Sequence, residues 1–137
     1  IKMRKFFSVS YPQGAFDFAM LLLRIAAGGL MVKHGYDKFI NFSDTASHMM
    51  NFMGIGQKAC AVLVIFAEFF CSILVIAGLF TRLACIPLII TMSVALFMAH
   101  KGDFFGDGQV AALFLVAFTV LLFTGPGRAS ADKLISK

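Results

Sequence analysis

The sequence predicts an all-α membrane protein: a four-transmembrane-helix bundle with a short amphipathic helix in the first outer loop. Three observations carry that expectation. Apolar residues make up 60% of the chain and charged residues only 14%, whereas a soluble domain carries about 25% charged residues. The apolar residues fall into four blocks close to the roughly 20 residues a helix needs to cross a bilayer. The basic residues gather at block ends, so the net charge of +5 orients a membrane chain and calls for no nucleic acid.

At 137 residues the chain reads as one membrane domain, 1–137, with helices at about 15–39, 57–79, 82–100 and 108–124. The first block, Phe16 to Phe39, holds Arg24 near its middle and Lys33, His34, Tyr36, Asp37 and Lys38 at its end. Lys2, Arg4 and Lys5 precede it, as in a signal peptide. A spanning length with an internal arginine favours an uncleaved helix. In the connection from Ile40 to Gln57, Ser43 is placed to cap a short helix. Its Ala46, Met49, Met50 and Met53 recur at helical spacing, and Gly54 can end it. Gly78 to Arg82 is a tight turn in which Gly78 closes the second helix and Thr81 caps the third. Lys101 to Gly108 joins helices three and four, and Gly125-Pro126-Gly127 stops the last, leaving a short basic tail.

Counting charges sets the orientation. Lys2, Arg4, Lys5, Arg82, Arg128, Lys133 and Lys137 mark one side. Lys33, Lys38, Lys58 and Lys101, offset by Asp37, Asp44, Asp103 and Asp107, mark the other. The positive-inside rule puts both termini in the cytoplasm and His34, His48 and His100 on the outer side.

Polar groups within the blocks are the candidates for function, because ionisable side chains at membrane depth are expensive. Glu68 stands ten residues from Lys58 and ten from Gly78, so it should meet Arg24 at mid-membrane. An Arg24–Glu68 ion pair is the expectation, with Ala26 to Gly29 giving room for close approach. Such a pair can fix helix register and nothing more, or Arg24 can hold an anionic or carbonyl-bearing ligand while Glu68 balances charge or exchanges a proton. His34 and His100 end their helices on the same side and share a polar vestibule with Lys38, Asp103 and Asp107. No E-x-x-H pair or dense ligand spacing points to a metal. Cys60, Cys71 and Cys85 lie inside apolar blocks without a C-x-x-C, which excludes a disulfide framework and a thioredoxin-like pair. The vicinal cysteines of a vitamin K epoxide reductase-like enzyme are absent too.

LLLRIAAGGLMVKHGYDKF, a loop ending in GIG, FAEFFCSILVIAGLFTRLA, AHKGD and LLFTGPGRASADKLI follow in order along almost the whole chain. This pattern resembles the DoxX family of small bacterial membrane proteins. Arg24, His34-Gly35, Glu68, Gly78 to Arg82 and Gly125 to Arg128 fall on family-like positions. The resemblance implies a four-helix bundle in the bacterial inner membrane. The family takes its name from a subunit of an archaeal thiosulfate:quinone oxidoreductase, and other members are linked to redox complexes and oxidative-stress resistance. It implies a quinone-binding or anchoring subunit of a redox system rather than a complete enzyme; together with the polar seam read above, this makes Arg24, Glu68, His34, Lys38 and His100 the candidate ligand-binding residues. The alternatives are an accessory subunit docking on a larger complex or on its own copies, and a small-solute or proton pathway with Glu68 as relay. Fold kinship alone does not transfer a substrate.

Overall fold

The computed structural model describes residues 6–49, 51–103 and 105–136. Lys2, Arg4, Lys5, Met50 and Lys137, which enter the sequence-based expectations, lie outside them. Four long helices pack side by side: α1 (Gln13–Ile40), α3 (Gln57–Ala77), α4 (Thr81–Ala99) and α5 (Gln109–Thr124), with short helices α2 (Phe42–His48) and α6 (Ala131–Ile135) between and after them. The first three are long and apolar enough to cross a membrane; α5 is apolar but has 16 residues. α1 packs on α3, and α4 packs most extensively on α5. One end of the bundle, the loop end, carries Ile40, Gln57, Ala99 and Gln109. The other, the terminal end, carries Gln13, Ala77, Thr81 and Thr124.

The packing inverts the pattern of a soluble bundle. Large apolar side chains such as Phe18, Leu22, Leu30, Leu63, Phe66, Phe70, Ile90, Leu113 and Phe123 point outward, a continuous apolar surface that only lipid or a protein partner covers. Arg24, Glu68, Ser72 and Thr81 are buried. Small and flexible residues fill the interior, with Ala27, Met31, Cys71, Val75, Cys85, Leu88, Met92 and Leu96 around Phe114, Phe118 and Leu121. All three cysteines are free and buried.

Two stretches of the long helices are π-helical, Phe66–Cys71 in α3 and Ala95–Ala99 at the end of α4. The i→i+5 pattern adds a residue to the turn and re-phases the side chains beyond it by about 100°. His100 N–H closes the second of these on Ala95 O at 2.9 Å.

The first connection differs from its expected form. α2 stops at His48, has no side-chain cap from Ser43, and is followed by extended Met49. Met53 is 83% exposed at φ 54°. Side-chain bonds to the backbone explain the early stop: Gln57 Nε2 donates to Met49 O at 2.9 Å, and Gly56 N–H donates to Asn51 Oδ1 at 2.8 Å. These contacts compete with further helical turns, so a methionine-faced helix reaching Gly54 does not form.

At the terminal end Gly78 takes φ 70° and Leu79 N–H reaches back to Leu74 O at 2.9 Å, closing α3 as the glycine predicts. The expected Thr81 cap does not form. Thr81 Oγ1 is buried without a hydrogen-bond partner, and the cap comes from Asp132. Its Oδ1 accepts from Phe80 N–H at 2.6 Å and its Oδ2 from Thr81 N–H at 2.9 Å. The tail after Gly125-Pro126-Gly127 thus folds back on the bundle. Asp132 N–H donates to Gly78 O at 2.8 Å, and Arg128 N–H donates to Asp17 Oδ1 at 3.0 Å.

Candidate functional site

Two glycines of α1 set its register on α3. A β-carbon on Gly28 would lie 2.6 Å from Ile76 Cγ1 and 3.1 Å from Ser72 O; one on Gly35 would lie 2.6 Å from Phe69 N and 2.7 Å from Glu68 C. Such backbone proximity requires a residue without a side chain. Glu68 is therefore level with Gly35, and Arg24 is level with Gly78, whose β-carbon position the Arg24 guanidinium occupies. The two charges are eleven residues apart along α1, about 16 Å at the helical rise.

That offset corrects the expected Arg24–Glu68 pair. Glu68 pairs instead with Lys38, one turn beyond Gly35 on the inward face of α1. Lys38 Nζ donates to Glu68 Oε1 at 2.9 Å and stands 2.7 Å from Oε2. The Oε2 contact is a charge contact rather than an aligned hydrogen bond. The Glu68 side chain is 4% exposed and that of Lys38 35%, so a nearly buried carboxylate depends on one half-buried ammonium. The π-helical stretch of α3 carries Glu68, and that of α4 delivers Ala95 and then His100 to the same level. Such insertions recur where a side chain must be re-aimed at a site.

Cavities flank the pair on both sides. One of about 180 Å³ is lined by Met31, His34, Lys38, Glu68, His100, Asp107 and Phe114 among others. The other, about 480 Å³, is lined by Lys38, His48, Met49, Val64, Glu68, Thr91, Val94, His100 and their neighbours. Lys38, Glu68, Ala95 and His100 line both, so the two cavities adjoin at the pair. His34 stacks edge-on against Phe114 with ring centroids 6.0 Å apart. The larger space is within the range of about 300–1,000 Å³ typical of small-molecule sites. A polar head placed there could take a hydrogen bond from the Lys38 ammonium and from His100, and could give one to Glu68.

Arg24 serves the terminal end. It is 1% exposed, and Nη2 donates to Ala129 O, while Nε and Nη1 have no protein partner. It anchors the returning tail beside the turn that Asp132 caps. Asp132 and Asp17, which hold this end together, were given no role by sequence reasoning because their partners, Phe80, Thr81 and Arg128, lie far away in the chain. Of the five residues expected at the site, four gather at the loop end, namely Glu68, Lys38, His34 and His100. His48 and Asp107 join them from the connecting loops. Among the described residues no group of three or more His, Cys, Asp or Glu side chains is arranged to hold a metal.

Comparison with known proteins gives consistent relatives. The DoxX family model matches residues 19–101. An uncharacterized protein of Haemophilus influenzae is 30% identical over 88% of this chain and 92% of its own length. The inner membrane protein YphA of Escherichia coli K12 is 28% identical over 86% of this chain and 95% of its own. An uncharacterized membrane protein of Mycobacterium tuberculosis is 29% identical over 87% and 82%. No solved structure matches the chain.

Proposed function

The chain belongs to the DoxX family of membrane proteins, and on that premise we propose that it is a small multi-pass subunit of a redox-linked system whose loop-end site binds a quinone-like ligand. In this reading α1, α3, α4 and α5 all cross the bacterial inner membrane, with both termini cytoplasmic and the loop end outward. The observation that carries the proposal is the Lys38–Glu68 pair itself. A carboxylate 4% exposed is costly to keep charged, and here it lines two adjoining cavities rather than sitting in a packed core. Intramembrane ionisable groups facing a cavity mark ligand or proton paths. A quinone ring offers two carbonyl acceptors, which suit the Lys38 ammonium and an Nε–H or Nδ–H of His100.

The test is extraction in mild detergent followed by quinone analysis of the purified protein. Wild type should carry quinone, Glu68→Gln and Lys38→Met should lose it, and Arg24→Lys should retain it because Arg24 lies at the opposite end. Quinone carried equally by wild type, Glu68→Gln and Lys38→Met would refute the site.

An accessory role is the second reading, favoured by a groove of about 260 Å³ between α1 and α5, lined by Ala26, Leu30 and Leu113 among others. A partner helix from a larger complex, or from a second copy, would fit small residues there. Cysteine cross-linking from Ala26→Cys in membranes tests it: no cross-linked partner at all would remove it.

A further inference from the structure

The larger polar cavity does not end at the helix pair. Met49, Val64, Thr91 and Val94, which form part of its wall, also line a separate slot of about 150 Å³ between α3 and α4 beneath the first connection. The slot's lining is almost wholly apolar, and Leu63 and Ile90 at its sides are 56% and 57% exposed on the membrane-facing surface. The loop above is fastened down: Phe52 N–H donates to Cys60 Sγ at 3.3 Å and Gln57 holds Met49 O. The slot is thus roofed on the loop end and opens sideways between two helices.

We infer that this slot is the berth of an apolar chain, and that the site takes a single-chain amphiphile which reaches the Lys38–Glu68 cavity sideways from the membrane. Charge and hydrogen-bonding groups at one end and a dry slot at the other match a polar head joined to one chain, and match neither a small hydrophilic solute nor a tail-less ring. The four shared wall residues set where head gives way to chain. The inference rests on the reading of the loop-end cavity as a head-group site, and it adds the chain and its route.

Two probes separate the two statements: dimethoxy-methyl-benzoquinone without a chain and the same ring bearing a ten-carbon chain. Both are titrated into purified protein at one detergent concentration. Three forms are compared: wild type, Ile90→Trp, which closes the slot's mouth, and Val116→Trp, which adds the same ring on a lipid-facing surface of α5 that is 62% exposed and outside the slot. Leu63→Trp closes the mouth from the other wall should Ile90→Trp be poorly folded. Close packing of the chain in the slot should make the chain-bearing quinone bind at least about fivefold tighter to wild type and Val116→Trp than to Ile90→Trp, with the tail-less quinone bound alike by all three. An equal affinity of the chain-bearing quinone for all three overturns the slot while leaving the head site standing. Failure of both quinones to bind wild type overturns the head site and the slot with it.

Discussion

Replacing Gly35 by alanine should separate α1 from α3 at the level of the Lys38–Glu68 pair. The added carbon would sit 2.6 Å from Phe69 N, 2.7 Å from Glu68 C and 2.9 Å from Phe69 Cα, all main-chain atoms. To restore a contact of 3.4 Å the backbones must part by roughly 0.8 Å, the difference between 3.4 and 2.6 Å. Overpacking of this kind costs about 1–3 kcal/mol, and rigid partners put it near the top of that range. Alanine's better helix propensity returns about 1 kcal/mol, so the net loss is about 2 kcal/mol. The comparison set is internal. At Gly28 the nearest obstacles are Ile76 Cγ1 at 2.6 Å, on a β-branched side chain stiff at χ1, and Ser72 O at 3.1 Å, so alanine there should cost less than at Gly35 but more than at Gly29. At Gly29 nothing lies within 4 Å, so alanine should be neutral or stabilising by up to about 1 kcal/mol. Thermal denaturation in one detergent should rank the three midpoints Gly29→Ala highest and Gly35→Ala lowest, with Gly35→Ala roughly 5–10 °C below wild type. A Gly35→Ala protein as stable as Gly29→Ala would refute the register, and with it the placement of Glu68 opposite Lys38.

The same contacts set three further outcomes. Lys38→Met should destabilise by about 3 kcal/mol, because it strands a buried carboxylate, whereas Glu68→Gln leaves an ammonium that reaches solvent and should cost about 1 kcal/mol; unfolding midpoints that reverse this order contradict the pairing. Arg24→Met should free the tail, and loss of a charged hydrogen bond of about 1.5–3 kcal/mol should raise trypsin cleavage at Arg128 roughly ten- to a hundredfold; unchanged cleavage removes the tie. Asp132→Ala should cost about 0.5–2 kcal/mol through the lost cap on α4, read as faster hydrogen exchange in the first turn of α4, while Thr81→Val should not speed that exchange.

The helices were legible because block length and apolar content are direct consequences of the solvent around them. The gathering of Glu68, Lys38, His34 and His100 was nearly legible for a related reason: alternating helix direction puts those helix ends on one side. Which charge meets which was not. Counting inward from block ends placed Arg24 near the middle of α1, where it does stand within α1 (Gln13–Ile40); what counting could not give is how far α1 is offset along α3, which Gly28 and Gly35 fix. A glycine's close approach is invisible until its neighbour is known. The π-helical turns were equally hidden, since an inserted residue changes phase without changing composition. The tail's return was hidden because its partners lie far away in the chain, with Arg24 and Ala129 separated by 105 residues.

That separation has a consequence for how the protein is made. At a synthesis rate of about 5–20 residues per second, Arg24 is made some 5–20 s before Ala129 exists to receive it. During that interval the guanidinium has neither the tail carbonyl nor the Asp132 charge nearby. The membrane-inserting machinery, or water drawn in at the bilayer surface, must shelter it meanwhile. This end of the bundle therefore closes only after residue 129 is made, and nascent chains halted before it should carry an arginine still open to solvent. The tail acts as the latch by which a chain that has reached residue 129 differs from one halted before it.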